Sequence, residues 1–189
     1  MLIAVTGGVG SGKTAVMEIL KSFGANIISA DEINRDIMTR PDYIEKIDKL
    51  FKGVVKNGVI DRVELGKKVF YDAKAMEKLN EVAHPEIIEE ITKRVKKIKG
   101  TVFIEVPLLV ETNMQDMFDK IWLVKAGKEL RLKRILMRDS ISEEYAKRIM
   151  ASQVTDKIRE KYATDIIENN GDEIALYHRV EELYKSLYE

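Results

Sequence analysis

The chain has 189 residues, with 32 basic and 32 acidic side chains, 45% hydrophobic residues and no cysteine. That length suits one well-buried core with modest insertions, the apolar content argues against disorder, and the zero net charge argues against a general attraction to nucleic acid. Missing thiols exclude disulfides and thiolate metal sites, and no apolar run approaches the roughly 20 residues of a spanning helix, so a soluble, cytoplasmic protein without membrane partners is expected.

The first elements are the most informative. Leu2 to Val5 reads as a buried strand, and Val16, Ile19, Leu20 and Phe23 recur at helical spacing. Between them TGGVGSGKT matches the pattern G-x-x-x-x-G-K-[ST], with Gly7, Gly12, Lys13 and Thr14 in register. Glycines at 7, 8, 10 and 12 let successive backbone N–H groups approach a polyphosphate that side chains would block. Lys13 brings a cation to the terminal phosphates, the Thr14 hydroxyl can ligate Mg²⁺, and the helix N-terminus favours anions.

Gly24 is placed to cap this helix, and Ala25 to Ala30 reads as a second strand ending at Asp31. In an open parallel sheet the ligand crevice lies beyond the carboxyl ends of the strands, where a carboxylate can accept a proton from an attacking hydroxyl. Asp31 can equally N-cap a helix starting near Glu32, and the two roles are compatible. From Asp42 to Gly100 strand signals disappear, and Ile44, Ile47 and Leu50, then Met76, Leu79 and Val82, follow helical spacing. This stretch is too long for one crossover helix, so a helical insertion of about 53–95 is expected over the crevice. His84 before Pro85 marks either a helix break that turns the imidazole to substrate or a structural junction. The basic run Lys93 to Lys99 reads as the solvated face of an amphipathic helix.

Thr101 to Glu105 reads as a third strand, and Glu105 is either a holder of an Mg²⁺-bound water or an ordinary loop acid. Pro107 stops that strand, and Ile121 to Val124 supplies a fourth. A helix from about Lys128 carries Arg131, Arg134 and Arg138 on one face, either as surface decoration or as part of a lid closing on a transferring phosphoryl group. Ser142 looks like the N-cap of a further helix bearing Arg148, which makes about 138–157 a helical hairpin lid. Thr164 to Glu168 is a fifth short strand, followed by the turn Asn169-Asn170-Gly171, where amide groups can read adenine or simply form the turn. A last helix with Leu176, Val180, Leu183 and Leu187 on one stripe closes the sheet.

The expected architecture is therefore an α/β, P-loop, nucleotide-kinase-like three-layer sandwich: a five-stranded parallel sheet with helices on both faces, a helical substrate-binding insertion and a helical lid in a single domain over 1–189. Beyond this general phosphotransferase pattern, the chain resembles the dephospho-coenzyme A kinase family nearly end to end. The likeness runs through TGGVGSGKT, SADE with its Asp31, NGVIDRVELGKKVF, LNEVAHP, EVPLLVE, LKRILMRD with the ASQ segment, and DIIENNG. It implies ATP- and Mg²⁺-dependent phosphorylation of the ribose 3′-hydroxyl of dephospho-CoA, the last step of coenzyme A synthesis. The chain is expected to act on small molecules in the cytoplasm as a monomer, with an oligomer left open. By the same likeness Asp31 is the general base, with Lys13 and Arg138 also catalytic. Gly8, Val9, Gly10, Ser11, Gly12, Lys13, Thr14 and Ala15 hold ATP with Arg138, and Asn170 and Gly171 lie by adenine. Thr6, Asp31, Arg62, His84, Pro107 and Leu108 serve the CoA side. Family members often carry Asp-Ala-Asp where this chain has Ser29-Ala30-Asp31, a change that touches a supporting contact rather than the retained acid. The alternatives are another small-molecule or nucleoside-monophosphate kinase of the same fold, or a GTP-type switch, which the missing Asn-Lys-x-Asp motif disfavours.

Overall fold

In a computed structural model that describes residues 1–70 and 72–189, the apolar run at the start forms β1 (Leu2–Thr6), with Ile3, Ala4 and Val5 fully buried. Such uninterrupted apolar character belongs to a strand covered on both faces. The glycine loop leads into α1 (Lys13–Ser22), which buries Val16, Met17 and Leu20. Beyond it the Gly24 N–H bonds the Lys21 carbonyl (3.0 Å), and the chain turns into β2 (Asn26–Ser29).

Residues Ala30–Lys97 make a compact unit of their own, while Met1–Ser29 and Ile98–Glu189 together make the other. The first is larger than the insertion of about 53–95 read from periodicity. It consists of α2 (Ala30–Ile37), α3 (Pro41–Leu50), a hairpin of β3 (Val55–Lys56) and β4 (Val59–Ile60), α4 (Arg62–Phe70) and α5 (Ala73–Val95). The hairpin corrects the all-helical expectation. Asn57 and Gly58 both take positive φ, 51° and 75°, which is the two-residue turn that matches strand twist, so an Asn-Gly signal went unread behind the helical spacing around it. Helix α2 begins at Ala30, so Asp31 stands exposed inside its first turn rather than at the N-cap. Pro41 opens α3 at a position where its missing N–H costs nothing. Asp61 accepts from the N–H groups of Val63 and Glu64 (3.1 Å each) at the start of α4, and Asp72 caps α5 through Lys74 and Ala75.

Pro85 does not break α5, which runs on for ten more residues to Val95. Ion pairs hold the helix beyond it. Buried Glu86 accepts from Arg40 (2.9 Å) and from Lys46, and Arg94 donates to Asp36 (2.7 Å) and Glu90 (2.9 Å). His84, half-buried one residue earlier, is pushed below its ordinary pKa of 6.5 by desolvation. Its proton binds more tightly in the unfolded chain, so stability is full above pH 6.5 and is lost as pH falls from there toward the folded-state value. A urea-unfolding series against pH is expected to show that acid slope and to show less of it in His84→Gln; identical slopes would mean that the folded unit leaves the imidazole unperturbed.

The other unit continues with β5 (Val102–Glu105), β6 (Lys120–Lys125), α6 (Lys128–Asp139), α7 (Glu143–Ser152), α8 (Asp156–Arg159), β7 (Asp165–Glu168) and α9 (Glu173–Lys185). Its five strands are parallel in the order β2-β5-β1-β6-β7, with helices on both sides. Val5 pairs with Glu105 and Trp122, so β1 is central and its carboxyl end lies at the point where strand order reverses. On one face Val16, Met17 and Leu20 of α1 join Leu176, Val180 and Leu183 of α9 over Ile3, Val5, Phe103, Trp122 and Ile167. Fully burying each such side chain contributes about 1.5–3 kcal/mol, and Phe103 and Trp122 add an aromatic contact at 5.2 Å. Ser142 caps α7 as expected, accepting from the Tyr145 N–H at 3.2 Å. Among the described residues, no helix is long and apolar enough to cross a membrane.

Candidate active site

The loop from Gly7 to Gly12 wraps around the Lys13 side chain. The buried ammonium donates to the carbonyls of Gly7 (2.9 Å) and Gly8 (3.3 Å), and the Ser11 N–H closes a turn onto the Gly8 carbonyl (3.1 Å). Gly12, the residue before α1, takes φ +100°, a value that disfavours any side chain. A Cβ there would also lie 2.0 Å from the Asn169 amide nitrogen. At the carboxyl end of β1 the Thr6 and Ser11 hydroxyl oxygens are buried without a hydrogen-bond partner among the described residues. Thr14 is exposed in the first turn of α1, with Ala15 beside it.

The arginine stripe of α6 divides. Arg131 donates from Nε to the Val9 carbonyl (2.9 Å), and its guanidinium lies where a Cβ on Gly8 would come within 2.1 Å of Nη2. Arg134 donates to the carbonyls of Ser11 (3.3 Å) and Asn169 (3.2 Å) and reaches that of Gly10 (3.4 Å). Arg138, one turn further on, pairs with its neighbour Asp139 at 2.6 Å, which raises its pKa. Two of the three arginines thus brace the loop through its carbonyls, and the third stands at the junction with α7.

The turn after β7 is also split between tasks. Asn169, buried, donates to the Ser11 carbonyl (2.8 Å) and so supports the loop from below. The Asn170 side chain accepts from the Gly127 N–H (2.7 Å) and donates to Glu168 (3.1 Å), which fixes the entry to α6, while Gly171 is exposed. Arg131 and Arg134 were expected only as surface decoration or lid arginines, and Asn169 only as part of a turn, not as supports of the loop. Their signal was present, an amide-rich turn after the last strand and arginines at helical spacing, but spacing alone does not say that they face loop carbonyls.

The remaining expected residues fall in two groups. Glu105 ends β5 beside Val5 and Ser29, with Pro107 half-buried and Leu108 exposed in the turns that follow. Asp31, Arg62 and His84 belong to the 30–97 unit: Asp31 two residues past β2, Arg62 at the start of α4 with a contact to the Met38 sulfur (3.4 Å), and His84 in mid-α5.

A family model for dephospho-CoA kinase matches residues 1–174. A curated dephospho-CoA kinase from Fusobacterium nucleatum is 36% identical over 99% of this chain and 98% of its own length. A solved structure from Thermus thermophilus superposes with a TM-score of 0.88 at 29% identity, covering 99% of this chain and 97% of that one. The dephospho-CoA kinase from Campylobacter jejuni does so with a TM-score of 0.73 at 30% identity, covering 98% and 96%. A loop built to cradle phosphates at the centre of a parallel sheet, a motif likeness running nearly end to end, and matches over almost the whole chain agree: the protein belongs to the dephospho-CoA kinase family.

Proposed function

We propose that the chain transfers the γ-phosphoryl group of ATP to the ribose 3′-hydroxyl of dephospho-CoA, giving coenzyme A and ADP. The observation that carries this is the loop between β1 and α1, with the Lys13 ammonium held inside it on two carbonyls. Phosphate oxygens would give that cation hydrogen bonds between two charged groups, about twice as strong as bonds between neutral ones. The amides of Gly8 to Ala15 face the phosphates, Lys13 and Arg138 offset the charge that develops on the transferring group, and Asn170 and Gly171 lie by adenine. Asp31 accepts the proton of the 3′-hydroxyl as it attacks phosphorus, and Thr6, Arg62, His84, Pro107 and Leu108 contact dephospho-CoA. This acceptor side rests on the family resemblance and on the place of Asp31 just past the carboxyl end of β2.

Mg²⁺ fits the oxygens present. Among the described residues no three His, Asp or Glu side chains form a metal cage, but Mg²⁺ bound with a nucleotide needs only one or two protein oxygens beside phosphates and waters. The exposed Thr14 hydroxyl at the start of α1 would hold it, with Glu105 at the end of β5 acting through water. Bound there, the ion supplies positive charge to the β- and γ-phosphates. The same reading has the chain act as a cytoplasmic monomer on small molecules, without nucleic-acid partners.

A coupled assay with ATP, Mg²⁺ and a panel of acceptor hydroxyls tests the reaction. Dephospho-CoA should be used far faster than nucleoside monophosphates or sugar alcohols, and the product should serve CoA-dependent enzymes. Preference for another acceptor, or a product those enzymes reject, would overturn it. The support of the loop from Asn169 is tested separately: Asn169→Ala removes the shorter of the two bonds to the Ser11 carbonyl and leaves the one from Arg134 (3.3 Å), so stability should fall by about 0.5–1.5 kcal/mol while the KM for ATP rises. Urea unfolding and steady-state kinetics read both, and no change in either would mean that the loop keeps its shape without this prop.

A further inference from the structure

We propose that Gln153 is a positioning residue for phosphoryl transfer, fixing the crown of the P-loop by accepting the Val9 N–H while Arg131 donates to the Val9 carbonyl. The two bonds, 2.8 and 2.9 Å, are made to the only residue between Gly7 and Gly10 that is not glycine. Each bond fixes a whole peptide plane, because the N–H and C=O of a trans peptide point in opposite directions. Gln153 holds the Gly8–Val9 plane by its N–H, and Lys13 and the Ser11 N–H hold the same plane by the Gly8 carbonyl. Arg131 holds the Val9–Gly10 plane by its carbonyl and thereby directs the Gly10 N–H to the opposite side. Gly10 takes φ +77°, and beside such a glycine an unrestrained peptide rotates easily. A phosphate-binding donor that must be reoriented at the moment of reaction stabilises charge less than one already aimed.

The clamp is itself anchored in the interior. Arg131 pairs with Asp156 (3.3 Å), Asp156 accepts from Arg159 (3.1 Å), and Arg159, 1% exposed, donates to Glu111 (3.0 Å). Glu111 also accepts the Val154 N–H (3.1 Å), the residue after Gln153, so the backbone carrying Gln153 is tied to the same set of charges. Groups paired this way leave little room for Gln153 or Arg131 to drift from Val9. The sequence marks the ASQ segment only as part of a family likeness and does not show the contact with Val9, since a glutamine after a helix is ordinarily a solvated residue.

The proposal rests on the loop being the ATP site, and the test separates the two. Gln153→Met keeps size and removes the acceptor, whereas Gln153→Glu keeps an acceptor oxygen. In Gln153→Met, amide exchange at Val9 should accelerate, affinity for ATP measured by calorimetry should weaken by roughly fivefold, and kcat should fall by roughly tenfold or more, since small misplacements at a reacting centre are amplified. The KM for dephospho-CoA should stay within about twofold, because the clamp does not touch that substrate, and Gln153→Glu should recover most of kcat. The proposal is overturned if Val9 exchange is unchanged in Gln153→Met, if exchange rises with ATP affinity and kcat both intact, or if the Met and Glu variants lose activity and melting temperature equally. A wild-type protein that binds ATP but ignores dephospho-CoA would strike the acceptor assignment alone, and ATP affinity in the two variants would still decide the clamp. A wild-type protein without affinity for ATP would remove both.

Discussion

Asp31→Asn is expected to lower kcat with dephospho-CoA by roughly 10² to 10⁴ while leaving the fold and ATP affinity nearly unchanged. A ribose hydroxyl is a poor nucleophile at neutral pH, and a carboxylate within reach can orient it and take its proton as the bond to phosphorus forms. Asparagine keeps the shape but loses the charge and the basic lone pairs. Because Asp31 lies in the first turn of α2, the substitution also removes a favourable interaction with the helix N-terminus, worth about 0.3–1 kcal/mol. That is too little to unfold a domain of ordinary stability. Pre-steady-state and steady-state kinetics with thermal unfolding as a control would check this, and a variant that retains more than a tenth of wild-type kcat would exclude Asp31 as the base.

Lys13→Ala should remove most phosphoryl transfer, by a factor on the order of 10² to 10³ or more, since a preorganised cation at the transferring group is lost. The residue is 8% exposed and its ammonium bonds two loop carbonyls, so the variant loses an internal brace as well as a charge. A stability loss of about 1–3 kcal/mol should accompany the loss of rate. Lys13→Arg should not rescue it, because a planar guanidinium cannot occupy a space shaped around a compact ammonium. Circular dichroism, calorimetric ATP binding and single-turnover transfer on the same samples would decide; full activity in either variant would mean that another cation serves the terminal phosphates.

Long-period features of the fold were legible in the chain, and short-range ones were read less evenly. The five strands and their parallel character followed from apolar runs alternating with helical spacing, and the P-loop from glycines in a fixed frame. The β3–β4 hairpin was missed because strands of two residues carry no periodicity, although Asn57-Gly58 alone marks the turn. Continuity of α5 through Pro85 was misjudged because a proline deletes one helical bond, and the unit's packing and ion pairs outweigh that loss. At the site, the motif names the loop's own residues, while Arg131, Arg134 and Asn169 could be named only as arginines at helical spacing and a turn amide, without their partners on the loop. Arg131, Arg134, Gln153 and Asn169 are 122 to 158 residues from the loop positions they support, and no local pattern encodes such a partnership.

The central place of β1 also sets the order in which the protein can mature. Its neighbours in the sheet begin at Val102 and Lys120, and the prop beneath its loop is Asn169. The 30–97 unit, being one uninterrupted stretch, can close its contacts locally and early, as chains with short sequence separations do. Strand β1 must instead wait unpaired until a partner 100 residues further along the chain (Leu2 to Val102) has been made, an apolar segment exposed to chaperones or to neighbouring chains. The nucleotide site is therefore among the last parts of the molecule to take shape, and ATP, by binding the completed loop, would stabilise this last stage of folding.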